Sequence, residues 1–292
     1  MNTGLMPLIY IIVAMTSIQF GAASAKLLFP VTGAIGTTLL RLLLASAMLL
    51  LLWRPWRQKL STVQLKAVLW YGLSLGLMNL SFYLAIERIP LGLAVALEFS
   101  GPLTLALLNS RKKSDFLWAL LAALGILLIS PISSASQIDT IGIIFALIVA
   151  LFWALYIITG QKASLVMHEG VATSLGMVIG ALVILPVALI NKSYESINIQ
   201  VMPEAFLVAL FSSAIPYSLE MFALKRMSKF SFGILMSLGP AMAALMGLLV
   251  LQEILSLTQI IAIAFIIFAS LGNIFVKDSK ASQKLKESLV SE

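Results

Sequence analysis

The 292-residue chain has no cysteine, a single histidine (His168), and only 11% charged residues. Without cysteine there are no disulfides, no thiolate metal ligands and no thiol nucleophile. One histidine cannot build the His clusters that zinc chemistry needs. The chain also lacks G-x-x-x-x-G-K-[ST], H-E-x-x-H and any paired-acid metal motif. No cofactor, metal or enzymatic activity is expected, and the chain alone is not expected to spend ATP. An ion gradient, a solute's own gradient or exchange remains as the source of work.

Apolar residues make up 61% of the chain, whereas an ordinary soluble domain carries about 25% charged residues. No single core can hide that much apolar surface, so lipid must be the solvent. Ten runs approach the ~20 residues needed to cross the hydrocarbon layer: 6–28, 33–53, 65–86, 90–110, 115–132, 140–160, 172–191, 203–224, 230–251 and 257–276. The segment 277–292 is polar and is expected to be a disordered tail. Ala23-Ser24-Ala25 resembles a cleavage site, but no Lys or Arg precedes the apolar stretch, so the first span is expected to remain.

The net charge of +7 is explained by where the charges sit rather than by a nucleic-acid partner. Fifteen of the nineteen basic residues fall in one alternate set of loops and the tail; the other set has only Arg88 and Lys192, with Lys26 and Arg41 inside spans. The positive-inside bias places both termini in the cytoplasm of a multi-pass protein. An even number of spans agrees.

Residues 85–107 and 223–245 are similar, with Ala85/Ala223, Arg88/Arg226, Leu97/Leu235, Gly101/Gly239, Pro102/Pro240, Ala106/Ala244 and Leu107/Leu245 identical at an offset of 138. Phe20/Tyr156 and Lys26/Lys162 align at an offset of 136. Two five-span copies, 1–138 and 139–276, would enter the membrane from opposite sides. The expected fold is all-α and integral to the membrane, with ten transmembrane helices as two inverted five-helix repeats around a central cavity. The Gly-Pro pairs, Gly101-Pro102 and Gly239-Pro240, together with Pro216, are the expected hinges.

The stretches VAMTSIQFGAASAKLLFP, LRLLLA, PLGLAVALEFSGPL, SSAIPYSLEMFAL and FGILMSLGPAMAAL resemble the drug/metabolite transporter superfamily, and within it the bacterial inner-membrane threonine and homoserine exporters. The resemblance implies a proton-driven exporter of small neutral amino acids with a cavity between the repeats. It also exposes a departure: relatives commonly carry glutamate before the proline of the ninth span, where this chain has Gly239.

Ionisable side chains inside a span are costly, so they persist when paired, solvated or used. Glu98 lies four residues before Pro102, beside a loosened turn suited to an ammonium or a proton. Glu220 shares a helical face with Pro216, Tyr217 and Ser213; it is a candidate proton carrier or a partner of Lys225 or Arg226. Arg41 can fork onto a carboxylate or pair with Glu98 or Glu220 as fixed structure. Gln19 and Ser17 on the first span, Asn79 and Tyr83 on the third, Tyr156 and Thr159 on the sixth, and Tyr217 on the eighth add a polar wall, although each alone is commonly a helix–helix bond. The Gly72/Gly76 and Gly176/Gly180 pairs are expected to tighten the bundle, and a monomer is expected. The expected partners are thus an amino acid, protons and lipid. An uncoupled facilitator, an exporter of other small metabolites such as aromatic amino acids, and a non-transporting scaffold are the alternatives.

Overall fold

The computed structural model describes residues 5–89, 91–108, 113–129, 139–239, 241–242, 257–258 and 260–269. Pro240 and the expected tail lie outside them, as do the side chains of Gln19, Ser24 and Lys26. The described chain is helical, without strands. In order it forms α1 (Leu5–Trp53), α2 (Thr62–Ile86), α3 (Leu91–Glu98), α4 (Ser100–Leu108), α5 (Lys113–Ile129), α6 (Thr140–Val166), α7 (Glu169–Ile190), α8 (Met202–Ala209), a π-helical turn (Leu210–Ala214), α9 (Ile215–Arg226) and α10 (Lys229–Met236). Among the described residues, five stretches are long and apolar enough to cross a membrane: Pro30–Arg57, Thr62–Ile86, Thr140–Val166, Glu169–Ile190 and Ile199–Arg226. Shorter apolar helices cover Leu5–Ile18, Leu93–Leu108, Phe116–Leu128 and Ile260–Ala269. Leu51, Leu108, Ile190 and Leu165 stand on the outer surface at 68%, 79%, 79% and 65% exposure, an arrangement that suits hydrocarbon rather than water.

Three boundaries differ from the sequence expectation. Between 28 and 33 a loop is expected, yet helical turns continue through Pro30 and the helix kinks at Gly33, whose φ of 64° is open to glycine. A straight 49-residue helix would run on the order of 70 Å, far beyond a bilayer, and the kink divides it: Pro30–Arg57 is long enough to span, whereas Leu5–Ile18 is a shorter apolar helix. The fourth span breaks at Phe99, between α3 and α4, rather than at Gly101-Pro102. Pro102 then falls in the first turn of α4, where a missing N–H leaves no intrahelical bond unmade. The eighth span is interrupted by the π turn immediately before Pro216.

Caps fix the helix starts. Ser61 and Gln64 form a reciprocal box at α2. His168 caps α7, its Nδ1 accepting from the Gly170 N–H at 3.1 Å. Asp139 caps α6: the Ile141 N–H, 2.8 Å from Oδ1, is the main cause holding its carboxyl below the ordinary aspartate range, opposed by partial burial and aided by Arg88. A depressed acid stabilises the fold above the ordinary aspartate range, and that contribution is lost as pH falls through the lower folded value.

Small residues set the helix spacing. An added Cβ at Gly72 would lie 2.9 Å from the Gly176 carbonyl, and one at Gly76 2.9 Å from the Gly180 Cα, so the two glycine pairs bring α2 and α7 together inside the bundle. Gly101 presses on α6, where an added Cβ would meet the Ala150 carbonyl oxygen at 2.0 Å. Gly233 of α10 meets the Pro102 carbonyl in the same way, at 2.6 Å, so the two similar segments pack on each other.

Gly101→Ala is expected to destabilise the protein by about 1–3 kcal/mol or more, the range for overpacking, because the obstructing atoms are backbone. Thermal unfolding of the purified variant in detergent checks this, and an unchanged midpoint would contradict the packing.

Candidate functional site

The π turn supplies the central geometry. Pro216 has no N–H, and its nitrogen stands where an α bond to Ser212 or a π bond to Phe211 would form. The Ile215 N–H reaches Leu210, in the π register. Side chains from α1 take both released carbonyls: Ser17 Oγ donates to Phe211 at 2.7 Å, and Arg41 Nη1 makes a long 3.5 Å contact to Ser212. Gly21 permits this approach, since an added Cβ would lie 2.0 Å from Ser212 Oγ. Ser213, fully buried, has no hydrogen-bond partner for its hydroxyl.

Arg41 is the hub. Its Nη2 donates to Asn79 Oδ1, and its Nε is buried without a partner. Asn79 Nδ2 donates to the Leu75 carbonyl at 2.8 Å and to the Tyr217 hydroxyl at 3.2 Å. Asn79 and Tyr217 are 138 positions apart, the offset between the two similar segments, and they meet across the bundle. The Tyr217 ring lies edge-on to Tyr156 at 5.8 Å, and the Tyr156 hydroxyl donates to Glu220 Oε2 at 2.8 Å. Tyr71 stacks on Tyr156 at 5.4 Å. Arg41, Asn79, Tyr217, Tyr156 and Glu220 thus form one chain of contacts drawn from α1, α2, α6 and α9.

Two pairings open to sequence reasoning are corrected. Arg41 forms no ion pair with Glu98 or Glu220; among the described residues its acceptors are neutral oxygens. Glu220 does not pair with Lys225 or Arg226, because both cations extend to Glu169, at 3.3 and 2.9 Å. Glu169 drew no notice in the sequence, since charge bias counts bases and passes over acids.

Glu98 stands apart, half-buried at the end of α3, with no hydrogen bond or ion pair given to it among the described residues. The next residue, Phe99, packs on Trp153 of α6 at 4.8 Å, and a Cβ at Gly239 would touch the Phe99 ring at 3.3 Å. In the second copy the helix breaks at Ser237, the counterpart of Phe99. Tyr83 is buried one turn from Asn79, and Thr159 Oγ1 lies 3.5 Å from Ser74 Oγ. Gln19 and Pro240 were candidates whose placement lies outside the described side chains and residues. No group of three or more His, Asp or Glu residues able to hold a metal occurs among the described residues.

A guanidinium held by neutral acceptors, with one N–H free, is suited to receive a carboxylate through a charge-assisted fork. A carboxyl bonded to a phenol is suited to gain and lose a proton. Removing the phenol by Tyr156→Phe is expected to lower stability by about 1–3 kcal/mol, the range for a buried acceptor left unmade. Thermal unfolding reads this out, and no loss would contradict the Tyr156–Glu220 bond.

Residues 140–275 match the EamA-like transporter family. The chain is 42% identical over 281 residues to the threonine/homoserine exporter RhtA of Escherichia coli K12, covering 95% of each chain. It is 43% identical over 269 residues to the protein of that name from Salmonella typhimurium LT2, covering 92% of this chain and 91% of the relative. A solved crystal structure superposes with a TM-score of 0.72 over 90% of this chain and 94% of that one, at 14% identity, a likeness of fold alone.

Proposed function

We propose that this chain, which belongs to the EamA-like transporter family of the drug/metabolite transporter superfamily, exports small neutral amino acids of the threonine and homoserine kind. Its relatives bearing that name and its apolar helices support a multi-pass protein of the bacterial inner membrane. The reading includes ten spans in two inverted five-helix repeats, both termini in the cytoplasm, a monomer, and alternating access coupled to protons.

The observation that carries it is Arg41. A cation surrounded by neutral acceptors within a bundle, with its Nε unpaired, is a seat kept for an anion. An amino acid brings a carboxylate to that seat. Glu98, with no polar partner of its own among the described residues, is assigned the ammonium, and the break at Phe99 beside it is what lets it close toward Arg41 around so short a ligand. The helix interruptions at Phe99 and Ser237, at repeat-equivalent positions, support the Gly-Pro segments as the places where the halves flex.

Glu220 carries the proton. As a carboxylate it accepts the charge-assisted bond from Tyr156; once protonated it holds that phenol only through a weaker neutral bond, or donates to it instead. Tyr156 packs on Tyr217, and Tyr217 shares Asn79 with Arg41, so a proton taken up at Glu220 alters the hold on Arg41. Protons arriving from outside thereby favour release there. Gly239, lying against Phe99 with no carboxylate of its own, favours a second reading, an uncoupled facilitator.

In vesicles loaded with threonine, an inward proton gradient is expected to accelerate efflux by the wild type. Glu220→Gln should lose that acceleration while keeping threonine exchange. Glu98→Gln should weaken exchange itself by roughly tenfold or more, the scale for a lost hydrogen bond to a charged group. Gradient-driven efflux at the wild-type rate in both variants would contradict the roles, and wild-type efflux indifferent to the gradient would favour the facilitator.

A further inference from the structure

We propose that Arg88 and Arg226, identical residues at repeat-equivalent positions, are gating residues that latch opposite ends of the bundle. The two ends are defined by α2 and α6. Gln64 Nε2 donates to the Val166 carbonyl at 2.8 Å, which sets the start of α2 beside the end of α6. These helices are 25 and 27 residues long without interruption. Arg88, two residues beyond α2, and Asp139, the cap of α6, therefore meet at the far end, on the order of 40 Å away at 1.5 Å per residue.

At the Arg88 end, the bridge found among the described residues between α2 and α6 joins Arg88 Nη1 to Asp139 Oδ2 at 3.2 Å, with both side chains well exposed. At the other end Glu169, 3% exposed, is held by Lys225 at 3.3 Å and Arg226 at 2.9 Å. The Arg226 guanidinium also lies 5.9 Å over Tyr10 and 5.6 Å over Phe222. This clamp ties the first turn of α7 to the last turn of α9 and to α1. Both latches join the two halves of the chain: Arg88 to Asp139, and Arg226 to Tyr10.

Breaking an exposed ion pair costs little, whereas stripping a buried acid of its partners costs far more. The conformation described is therefore shut firmly at the Glu169 end and lightly at the Arg88 end. Opening the Glu169 end requires Lys225 and Arg226 to withdraw together, and the repeat relation makes Arg88 the counterpart that holds the opposite end while they do. The inference rests on the transport reading.

The absence of cysteine lets single reporters be placed on the full chain without background. Ser164 is buried near the Glu169 end and Ser81 is buried toward the Arg88 end. Ser164→Cys and Ser81→Cys are labelled with an impermeant maleimide in membrane vesicles of each orientation. Glu169→Gln is expected to raise Ser164→Cys labelling from its own end roughly tenfold and to lower Ser81→Cys labelling from the other. Arg88→Gln should shift both reporters the opposite way, and by less. Lys225→Gln, which leaves Arg226 on the buried acid, should give a smaller change in the Glu169→Gln direction, and it carries the test if Glu169→Gln does not reach the membrane. The labelling needs no cargo, so its failure strikes the gates and leaves the cargo assignment to the efflux measurement. Unchanged labelling at both reporters, or a rise at both as in a merely loosened bundle, would overturn the proposal.

Discussion

A guanidinium that meets no acid among the described residues is the constraint around which the middle of this protein is arranged. Within a low-dielectric bundle Arg41 needs acceptors, and the chain provides neutral ones by breaking its own hydrogen-bond ladder. Pro216 withholds an N–H, the π turn shifts the register, and the Ser212 carbonyl is released toward Arg41. Asn79 supplies the second acceptor and, through its amide nitrogen, ties Arg41 to Tyr217. Each device leaves the positive charge uncancelled. An acid within reach would cancel that charge and leave nothing for an incoming anion to do.

The duplicated scaffold and the unduplicated charges divide the work. The helix interruptions recur at Phe99 and Ser237, the segments around them pack face to face through Gly233 and Pro102, and Asn79 meets Tyr217. Arg88 and Arg226 likewise recur, each engaging an acid at its own end. Glu98 faces Met236 in the alignment and Glu220 faces Phe82, so neither acid is repeated. In the proposed alternating access, a repeated frame would give two ends that exchange roles. Asymmetry of the acids allows one to hold a ligand and the other a proton.

Much of the frame was legible in the chain itself, because apolar run length and helix period are local properties. The glycine pairs of α2 and α7 could be read as packing devices for the same reason. Partners were harder. Spacing shows that Glu220 and Tyr217 share a face, but not that Tyr156, sixty-four residues away, would reach Glu220. Pro216 foretells a free carbonyl at Ser212 from the missing i−4 bond alone; the π shift that also releases Phe211 is a tertiary outcome. The loop expected near Pro30 is instead a kink within α1, because Gly33 takes up the non-helical backbone angles in a single residue. Glu169 was invisible since its significance lies in Lys225 and Arg226 converging on it, more than fifty residues downstream.

The account turns on Arg41 being kept free of acids, and Asn79→Asp tests that most directly by placing a carboxylate where the amide now sits. Threonine affinity and thermal stability are measured on the purified wild type and on this variant. The expected result is a variant that still folds, somewhat destabilised because Asp cannot donate to the Leu75 carbonyl, with threonine binding weakened roughly tenfold or more because the anion seat is filled from within. Threonine bound with unchanged affinity by a folded Asn79→Asp protein would contradict it.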